Sequence, residues 1–317
     1  MRKSNLLMGA LALALLAPAA GWGADANKTA NIVERGLKPS DFPRWHAVVP
    51  NVYAYEDTLT SAGQTLTTNS LIIVTTDGVV IVDGQDNIAQ GKAMVANIKK
   101  ITPQPVKYMI IASDHSDHVG ANPALKEAWP NMVFISTPAS KKTMEAQKRE
   151  ILASELVTDK RDLKVGGTDI QILNLGRGHT GGDLVVYLPQ SKVMFMTELY
   201  DRYVFPPMVS GFPSEWAATI KKAQAMDVTW FIPGHGFTDN DAATLKADLG
   251  EFLKATEHVI SEAKRLRAAG LSCETEKNCP AHEKANWGAY ATWTLFPQQA
   301  PRALARVYAE MDGKLPK

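Results

Sequence analysis

The sequence predicts an α/β fold, because short runs of β-branched and apolar residues alternate along it with amphipathic helical segments. The chain has 317 residues, of which 45% are hydrophobic and 21% are charged, as in an ordinary soluble globular protein. This composition excludes disordered, collagen-like and coiled-coil chains. Lys and Arg number 34 against 33 Asp and Glu. The charge balance therefore gives no electrostatic reason to expect a nucleic acid or an anionic membrane surface as partner.

The first two dozen residues have the layout of a secretory signal peptide. Arg2 and Lys3 form a basic start, an apolar run follows over Leu6–Leu16, and small residues come next. A membrane anchor needs about 20 apolar residues in a row, whereas this run is shorter and is followed by Pro18. We expect residues 1–24 to be a signal peptide and the mature protein to be exported, to the bacterial periplasm. No later stretch is apolar enough to span a bilayer.

The elements begin with a hairpin. The chain from Asn27 to Pro50 is a polar lead-in, and strand-like residues start at Val52 and lead to Thr67–Val74. Asp77-Gly78 then joins this run to a second apolar, β-branched run, which is a strong hairpin signal. The further predicted strands are Val106–Ala112, Met132–Ser136, Ile170–Leu175, Leu184–Leu188, Val193–Met196 and Thr229–Ile232. The predicted helices are Ala89–Lys100, Asn122–Trp129, Thr137–Leu156, Pro213–Met226, Ala242–Ala269 and Pro301–Met311.

The sequence contains no short repeat and no low-complexity linker. The simplest organisation is one domain over residues 45–317, with a core of about 50–240 and a helical C-terminal region, 241–317. The two cysteines, Cys273 and Cys279, have five residues between them. In an exported protein, an even count at short spacing favours a disulfide over zinc binding.

Four of the seven histidines lie in three short loops, each directly after a predicted strand. Imidazole nitrogens and carboxylate oxygens together suit zinc or a similar divalent ion. Glycines beside two of these histidines permit the close backbone approach that a metal site needs. The sequence therefore predicts a metal site where the loops meet. The loops are Ser113–Asn122, Gly178–Asp183 and Pro233–Gly236.

The pattern of these loops resembles the metallo-β-lactamase-fold hydrolase superfamily, over roughly residues 50 to 240. That resemblance implies an αββα sandwich, with two mixed sheets flanked by helices and here a helical C-terminal extension. It assigns His115 and His179 to a first metal position, and Asp117, His118 and His235 to a second. Glu198, in Thr197-Glu198, stands where the family usually has Gly-Asp and would bridge the two positions; a surface carboxylate is the alternative.

The sequence departs from the family at Ser113, which replaces the first His of H-x-H-x-D-H. A serine hydroxyl is a weak zinc ligand compared with imidazole. Two outcomes stay open: one zinc ion held at the second position, or two ions of unequal affinity with Ser113 reaching one of them through water.

The resemblance implies a zinc-dependent hydrolase. Zinc lowers the pKa of a bound water toward about 7 and so supplies hydroxide for attack on a carbonyl group. Asp117 is the candidate catalytic residue, which would orient that water and move its proton. Thr180 and Asp183 are candidate partners of the metal-binding imidazoles, with a turn cap as an equal alternative for Asp183.

The expected substrate is a small molecule: a β-lactam, a lactone or an ester. A thioesterase of the glyoxalase II type and a degenerate, non-catalytic metal-binding protein are the alternatives. We expect the loop of the first hairpin, over Glu56–Thr67, to flank the cleft. Tyr200, Tyr203 and Phe205, with Phe212, either wall an apolar pocket or belong to the core.

Overall fold

Residues 28–316, which a computed structural model describes, form two β-sheets. The predicted signal peptide, residues 1–24, lies outside the described residues. The first sheet contains, in spatial order, β1 (Arg44–Val49), β2 (Val52–Ser61), β3 (Gln64–Thr75), β4 (Gly78–Val82), β5 (Val106–Ile110), β6 (Val133–Ser136) and β7 (Glu155–Leu156). The second contains β8 (Lys160–Val165), β9 (Thr168–Leu173), β10 (Val185–Leu188), β11 (Val193–Phe195) and β12 (Trp230–Ile232), in this order across the sheet.

Both sheets are mixed. In the first sheet, β1 to β4 pair antiparallel and β4 to β7 pair parallel. In the second, only the β11–β12 pair is parallel. The predicted hairpin of β3 and β4 is confirmed, but its turn is shifted by one residue: Thr75 pairs with Gly78, so Thr76 and Asp77 form the two-residue loop and Gly78 begins β4.

The helices cover the outer faces of the two sheets. They are α1 (Ile88–Ile101), α2 (Ser116–Val119), α3 (Asn122–Ala128), α4 (Pro138–Ala146), α5 (Pro213–Gln224), α6 (Ala242–Ala268), α7 (Pro280–Glu283) and α8 (Phe296–Met311). One apolar cluster lies between the sheets, where residues such as Val80 and Ile172 meet. A second joins the first sheet to α1, α3 and α4, and a third joins the other sheet to α5, α6 and α8. The predicted αββα layering is confirmed.

The prediction of a helix over Thr137–Leu156 is wrong in its second half. The helix ends at Ala146, and Lys148 adopts a left-handed φ of 57°, which a helix cannot continue through. Glu155–Leu156 instead pairs with β6 as an edge strand. The sequence analysis missed β1 and β8, which both lie at sheet edges. Edge strands bury few side chains, so their apolar pattern is weak.

The C-terminal region is helical, as expected, and the Cys273–Cys279 disulfide is present. It closes the loop between α6 and α7. Over residues 28–316, no helix is both long and apolar enough to cross a bilayer. The assignment of residues 45–317 to a single domain stays a prediction.

Candidate metal centre

Six candidate side chains meet at one edge of the two sheets. Strands β5, β11 and β12 all end at this edge, and the chain that follows each of them carries site residues. His115, Asp117 and His118 follow β5, His179 lies between β9 and β10, Glu198 follows β11 and His235 follows β12. Residues separated by more than a hundred positions in the sequence therefore become neighbours.

A first group of four donors is buried: Asp117, His118, Glu198 and His235. The Nε2 atoms of His118 and His235 are 3.3 Å apart. Asp117 Oδ2 lies 3.2 Å from His235 Nε2 and 3.6 Å from His118 Nε2. Glu198 Oε1 lies 3.5 Å from His235 Nε2 and 3.8 Å from His118 Nε2.

These spacings fit a tetrahedral metal ion. A zinc ion with bonds of 2.0–2.2 Å separates neighbouring ligand atoms by about 3.3–3.6 Å. The five distances measured here run from 3.2 to 3.8 Å. Two imidazole nitrogens and two carboxylate oxygens are also a donor set that zinc accepts. The four side chains thus fit a metal ion in both geometry and chemistry.

A second group contains three donors: His115, His179 and Glu198. His115 Nδ1 lies 3.0 Å from His179 Nε2, and each of these nitrogens lies 3.2 Å from Glu198 Oε1. The same Glu198 oxygen therefore belongs to both groups. This carboxylate occupies the position of a bridge, as the resemblance implied, and it is buried rather than exposed.

Ser113 does not complete the three-donor group. Its hydroxyl donates a hydrogen bond to Glu198 Oε2, whereas the contacts of Glu198 with the histidines are made by Oε1. Its oxygen also accepts a 3.3 Å hydrogen bond from the backbone N–H of His115. The serine thus holds the candidate bridging carboxylate in place. A histidine at this position would have offered a fourth donor instead.

The outer nitrogens of two histidines have partners that the sequence analysis missed. His235 Nδ1 lies 2.9 Å from the backbone oxygen of Thr67, to which it can donate. His118 Nδ1 lies 3.1 Å from Asp83 Oδ2, a close polar contact that does not have the geometry of a hydrogen bond. Both contacts favour a proton on Nδ1, and they leave Nε2 free to bind a metal. The Asp-Gly pair at the end of β4 was the available signal for Asp83.

Asp83, which follows β4, is bonded to the segments that follow β5 and β11. Its Oδ1 accepts hydrogen bonds from the backbone N–H groups of Ala112 and Ser113, at 2.7 and 3.3 Å. Its Oδ2 accepts a 2.6 Å hydrogen bond from Thr197 Oγ1. The carboxylate is fully buried, so these donors replace the water that it loses.

Thr197 adopts a backbone conformation that favours glycine. Its φ is 44°, a left-handed value that is costly for a β-branched residue. The hydrogen bond to Asp83 offsets part of that cost. The backbone of Thr197 also packs closely against Gly234: a Cβ at position 234 would lie 2.4 Å from the Thr197 carbonyl carbon, so a side chain there would clash.

Burial and mutual attraction shift the pKa values of the cluster. The Glu198 carboxylate raises the pKa of His115 to about 10, whereas burial lowers the pKa of His179 to about 3. Burial alone would lower the pKa of His118, but Asp117 and Glu198 outweigh it and raise the value to about 9. Burial opposes ionisation of Asp117 too, yet His118 and His235 lower its pKa to about 2. The site thus concentrates negative oxygens among imidazoles, as a cation-binding site requires.

Comparisons with known proteins agree with this arrangement. The family model described as "Metallo-beta-lactamase superfamily" matches residues 63–235, more than half of the chain. The chain belongs to the metallo-β-lactamase superfamily. Membership of this family makes it a metal-dependent hydrolase.

The individual similarities are distant. The metallo-beta-lactamase type 2 of Bacillus sp. (strain 170) is 24% identical over 191 residues, which cover 59% of this chain and 73% of that protein. Metallo-beta-lactamase IND-1 of Chryseobacterium indologenes is 26% identical over 192 residues, 58% of this chain and 78% of that protein. The solved structure of a metallo-beta-lactamase from Pontibacter korlensis has a TM-score of 0.60 at 21% identity, over 67% of this chain and 98% of that one. This last likeness shows a shared fold.

Thr180 and Asp183 do not take the role predicted for them beside an imidazole. Asp183 accepts hydrogen bonds from the backbone N–H and the hydroxyl of Thr180, so it organises the His179 loop as a turn cap. Among the described residues, His179 Nδ1 has no hydrogen-bond partner. Burial raises the pKa of Asp183 to about 7.

A cleft of about 190 Å³ opens beside the two donor groups. Its polar floor includes His115, Asp117, His179, Glu198 and His235, and its other lining residues are Leu59, Ser61, Leu66, Val204, Pro207, Val209, Leu295 and Gln299. The hairpin of β2 and β3 therefore flanks the cleft, as expected. However, residues 56–67 are mostly strand, and only Ala62 and Gly63 separate the two strands.

The prediction that Tyr200, Tyr203 and Phe205 wall the substrate pocket is wrong. All three are buried in the apolar cluster formed with α5, α6 and α8. The tyrosine hydroxyls donate to Leu245 O and Asp248 Oδ1, at 3.1 and 2.6 Å, away from the cleft. The alternative of a core role is therefore the correct one, and Phe212 joins them as a buried residue. The smaller Val204 and Pro207, from the same segment, line the cleft instead.

Proposed function

We propose that the chain is an exported zinc-dependent hydrolase that cleaves a small carbonyl compound: a β-lactam, a lactone or an ester. The observation that carries this proposal is the tetrahedral spacing of Asp117, His118, Glu198 and His235 beside an open cleft. The layout of residues 1–24 supports export to the bacterial periplasm.

The two donor groups favour unequal metal sites. Asp117, His118, Glu198 and His235 would hold one zinc ion with four protein donors. His115 and His179 would hold a second, weaker ion with only the shared Glu198 oxygen as a third donor. Because Ser113 is engaged with Glu198, it adds no ligand to the weaker position.

Zinc bound here would supply Lewis acidity for the substrate carbonyl and, by accepting water as a further ligand beyond its four protein donors, would activate that water near neutral pH. The chain's own residues position the reactants. Asp117 lines the cleft, and its Oδ2 lies within 3.4 Å of Thr68 Oγ1, which steadies the carboxylate. Asp117 would orient a water molecule in the cleft and accept its proton. The contacts of His118 with Asp83 and of His235 with Thr67 keep both imidazoles in the orientation that zinc needs.

Metal analysis tests the unequal sites. We expect His235→Ala to remove all tightly bound zinc, because it breaks the four-donor group, and His115→Ala to remove only part or none. Equal loss in both variants would contradict the asymmetry. The readout is zinc per chain by elemental analysis after dialysis, with His258→Ala as the matched control, since His258 lies outside the site and bonds to Asn286 O.

Turnover tests the activity. Zinc-loaded protein is assayed with a chromogenic β-lactam, a lactone, an ester and an acylglutathione thioester. Hydrolysis of one of the first three, lost on chelation and restored by zinc, is the expected result. Preference for the thioester would point to a glyoxalase II-like enzyme. Zinc binding without any turnover would point to a non-catalytic protein.

A further inference from the structure

The turn that carries His235 packs against one residue, Arg202. The backbone N–H of Arg202 donates a 2.9 Å hydrogen bond to His235 O, and its guanidinium Nη1 donates another, also of 2.9 Å, to Phe237 O. Gly236 lies between these two acceptors with a φ of 83°, and a Cβ there would come within 2.2 Å of Arg202 O. Arg202 therefore fixes the backbone on both sides of a candidate zinc ligand.

His235 lies between two stretches of chain. It forms isolated β-bridges with Thr68, in β3, and with Asp201. On the β3 side, Asn69 Nδ2 donates a 2.7 Å hydrogen bond to Gly236 O, and β3 is a long strand within the first sheet. The segment around Asp201, in contrast, belongs to no strand or helix. This side of the turn therefore needs another anchor.

That anchor is Asp248, in α6. Arg202 and Asp248 are both buried, and Arg202 Nε donates a 2.7 Å hydrogen bond to Asp248 Oδ2. The hydroxyl of Tyr203 donates to the other oxygen, Oδ1, at 2.6 Å. Loss of one partner from a buried ion pair leaves the other charge uncompensated, which is strongly unfavourable. The position of the Arg202 guanidinium therefore depends on this carboxylate.

Helix α6 gives Asp248 a fixed position relative to the metal centre. Leu249, the next residue of the helix, packs in the same apolar cluster as Phe231, which belongs to β12, the strand that leads to His235. A side chain on a packed helix is held more precisely than one on a loop. Asp248 lies beyond residues 63–235, the part of the chain that the family model matches, so the match assigns it no role.

We propose that Asp248 is a positioning residue for the zinc site, which acts on His235 through Arg202. Both oxygens of Asp248 are engaged, and neither belongs to the two donor groups, so its influence on zinc is through the geometry of the turn. His235 Nε2 lies 3.2 Å from Asp117 Oδ2, and a metal site tolerates deviations of only about 0.2 Å in its bonds. A small movement of the turn would therefore weaken the four-donor group.

This inference rests on the zinc binding in the proposed function, and it adds that the C-terminal region controls the affinity of the site. Asp248→Asn removes the charge and keeps the size of the side chain. The buried guanidinium then lacks its counter-charge, so we expect it to move toward water and release Phe237 O. Competition with a chromophoric chelator should show zinc binding about tenfold weaker than in the wild type.

The matched control is Glu262→Gln, the same change in the same helix. Glu262 pairs with Arg265 and lies 14 residues beyond Asp248, about 21 Å along α6. The control should keep zinc affinity within about twofold of the wild type. Wild-type affinity in folded Asp248→Asn, or an equal loss in the control, would overturn the proposal.

A double variant separates positioning from stability. Arg202→Met/Asp248→Leu replaces the ion pair by apolar side chains of similar volume, an exchange that often leaves stability unchanged or raised. We expect a urea midpoint above that of Asp248→Asn, yet zinc binding again about tenfold weaker, because no guanidinium reaches Phe237 O. Arg265→Met/Glu262→Leu is its control. A pair that only stabilises the fold would leave zinc affinity unchanged in the double variant, and that result would overturn the proposal.

A measurement on the wild type needs no variant. Coupling between two sites is reciprocal, so zinc must favour the contact of Arg202 with Asp248 by the same factor by which that contact favours zinc. NMR should show exchange of the Arg202 Nε–H with water slowed about tenfold by zinc, whereas exchange of the Arg265 Nε–H stays unchanged. Equal Arg202 exchange with and without zinc would overturn the proposal, even if no variant folds.

The outcomes separate this inference from the proposed function. If both Asp248 variants bind zinc as the wild type does, the inference is wrong and the proposed function stands. If the wild type binds zinc but hydrolyses nothing, the proposed activity is wrong, and the zinc affinities still decide the role of Asp248. If the wild type binds no zinc, both are wrong.

Discussion

Replacing Asp83 by asparagine tests how the buried carboxylate prepares His118 for metal binding. The two side chains have the same shape, so Oδ1 can still accept from the N–H groups of Ala112 and Ser113. The change falls on Oδ2, which becomes an N–H₂ group facing His118 Nδ1 at 3.1 Å and Thr197 Oγ1 at 2.6 Å. The threonine hydroxyl can rotate to accept from the amide, whereas the His118 imidazole can accept at Nδ1 only if its proton moves to Nε2.

The consequence for His118 is a change of tautomer. An amide donor next to Nδ1 favours the imidazole with its proton on Nε2, the atom that lies 3.3 Å from His235 Nε2 within the four-donor group. A protonated Nε2 cannot bind a metal ion. Loss of such an outer contact lowers metal affinity by roughly 10- to 100-fold. One buried donor left unpaired also lowers the free energy of unfolding by about 1–3 kcal/mol.

The assay is zinc competition against a chromophoric chelator, together with urea unfolding of the metal-free protein. The matched control is Thr197→Val, which removes a different partner of the same carboxylate and leaves the contact with His118. We expect Thr197→Val to lower the free energy of unfolding by about 2 kcal/mol but to leave zinc affinity within about threefold of the wild type. Zinc affinity in Asp83→Asn within that same range would refute the reasoning.

Three further changes give distinct expectations. Thr197→Gly loses the hydrogen bond to Asp83 but relieves a left-handed φ of 44°. Urea unfolding should therefore show a free energy of unfolding lower by no more than about 1 kcal/mol, a smaller decrease than in Thr197→Val. Burial raises the pKa of Asp183 to about 7, so the folded protein binds the extra proton between about pH 4 and 7 and loses stability as pH rises through that window. Asp183→Asn, neutral at every pH, should gain stability relative to the wild type by at most about 1.4 kcal/mol per pH unit over that window, with a constant difference above pH 7; a difference that does not change with pH would contradict this. Cys273→Ser opens a short loop between α6 and α7. The free energy of unfolding should therefore fall by about 2 kcal/mol, while zinc stoichiometry stays unchanged.

The sequence by itself determined the elements whose signals are local. Asp77-Gly78 between two β-branched runs predicted the hairpin of β3 and β4, and alternating strand and helix patterns predicted the α/β class. The three histidine loops were recognisable because each follows a buried strand, and their order along the chain identified the family. The prediction failed where the local pattern was weak, as at the edge strand β8, which it missed and whose residues are mostly charged.

Only the tertiary structure decided which of these residues act on one another. Nothing in the sequence near Ser113 shows that its hydroxyl bonds to Glu198, 85 positions away. Nor does local sequence show that Tyr200 is in the core while Gln299, a hundred residues beyond, lines the cleft. Propensity and periodicity report the conformation of neighbouring residues, whereas hydrogen bonds, burial and metal geometry depend on distances through space, and those exist only once the chain has packed.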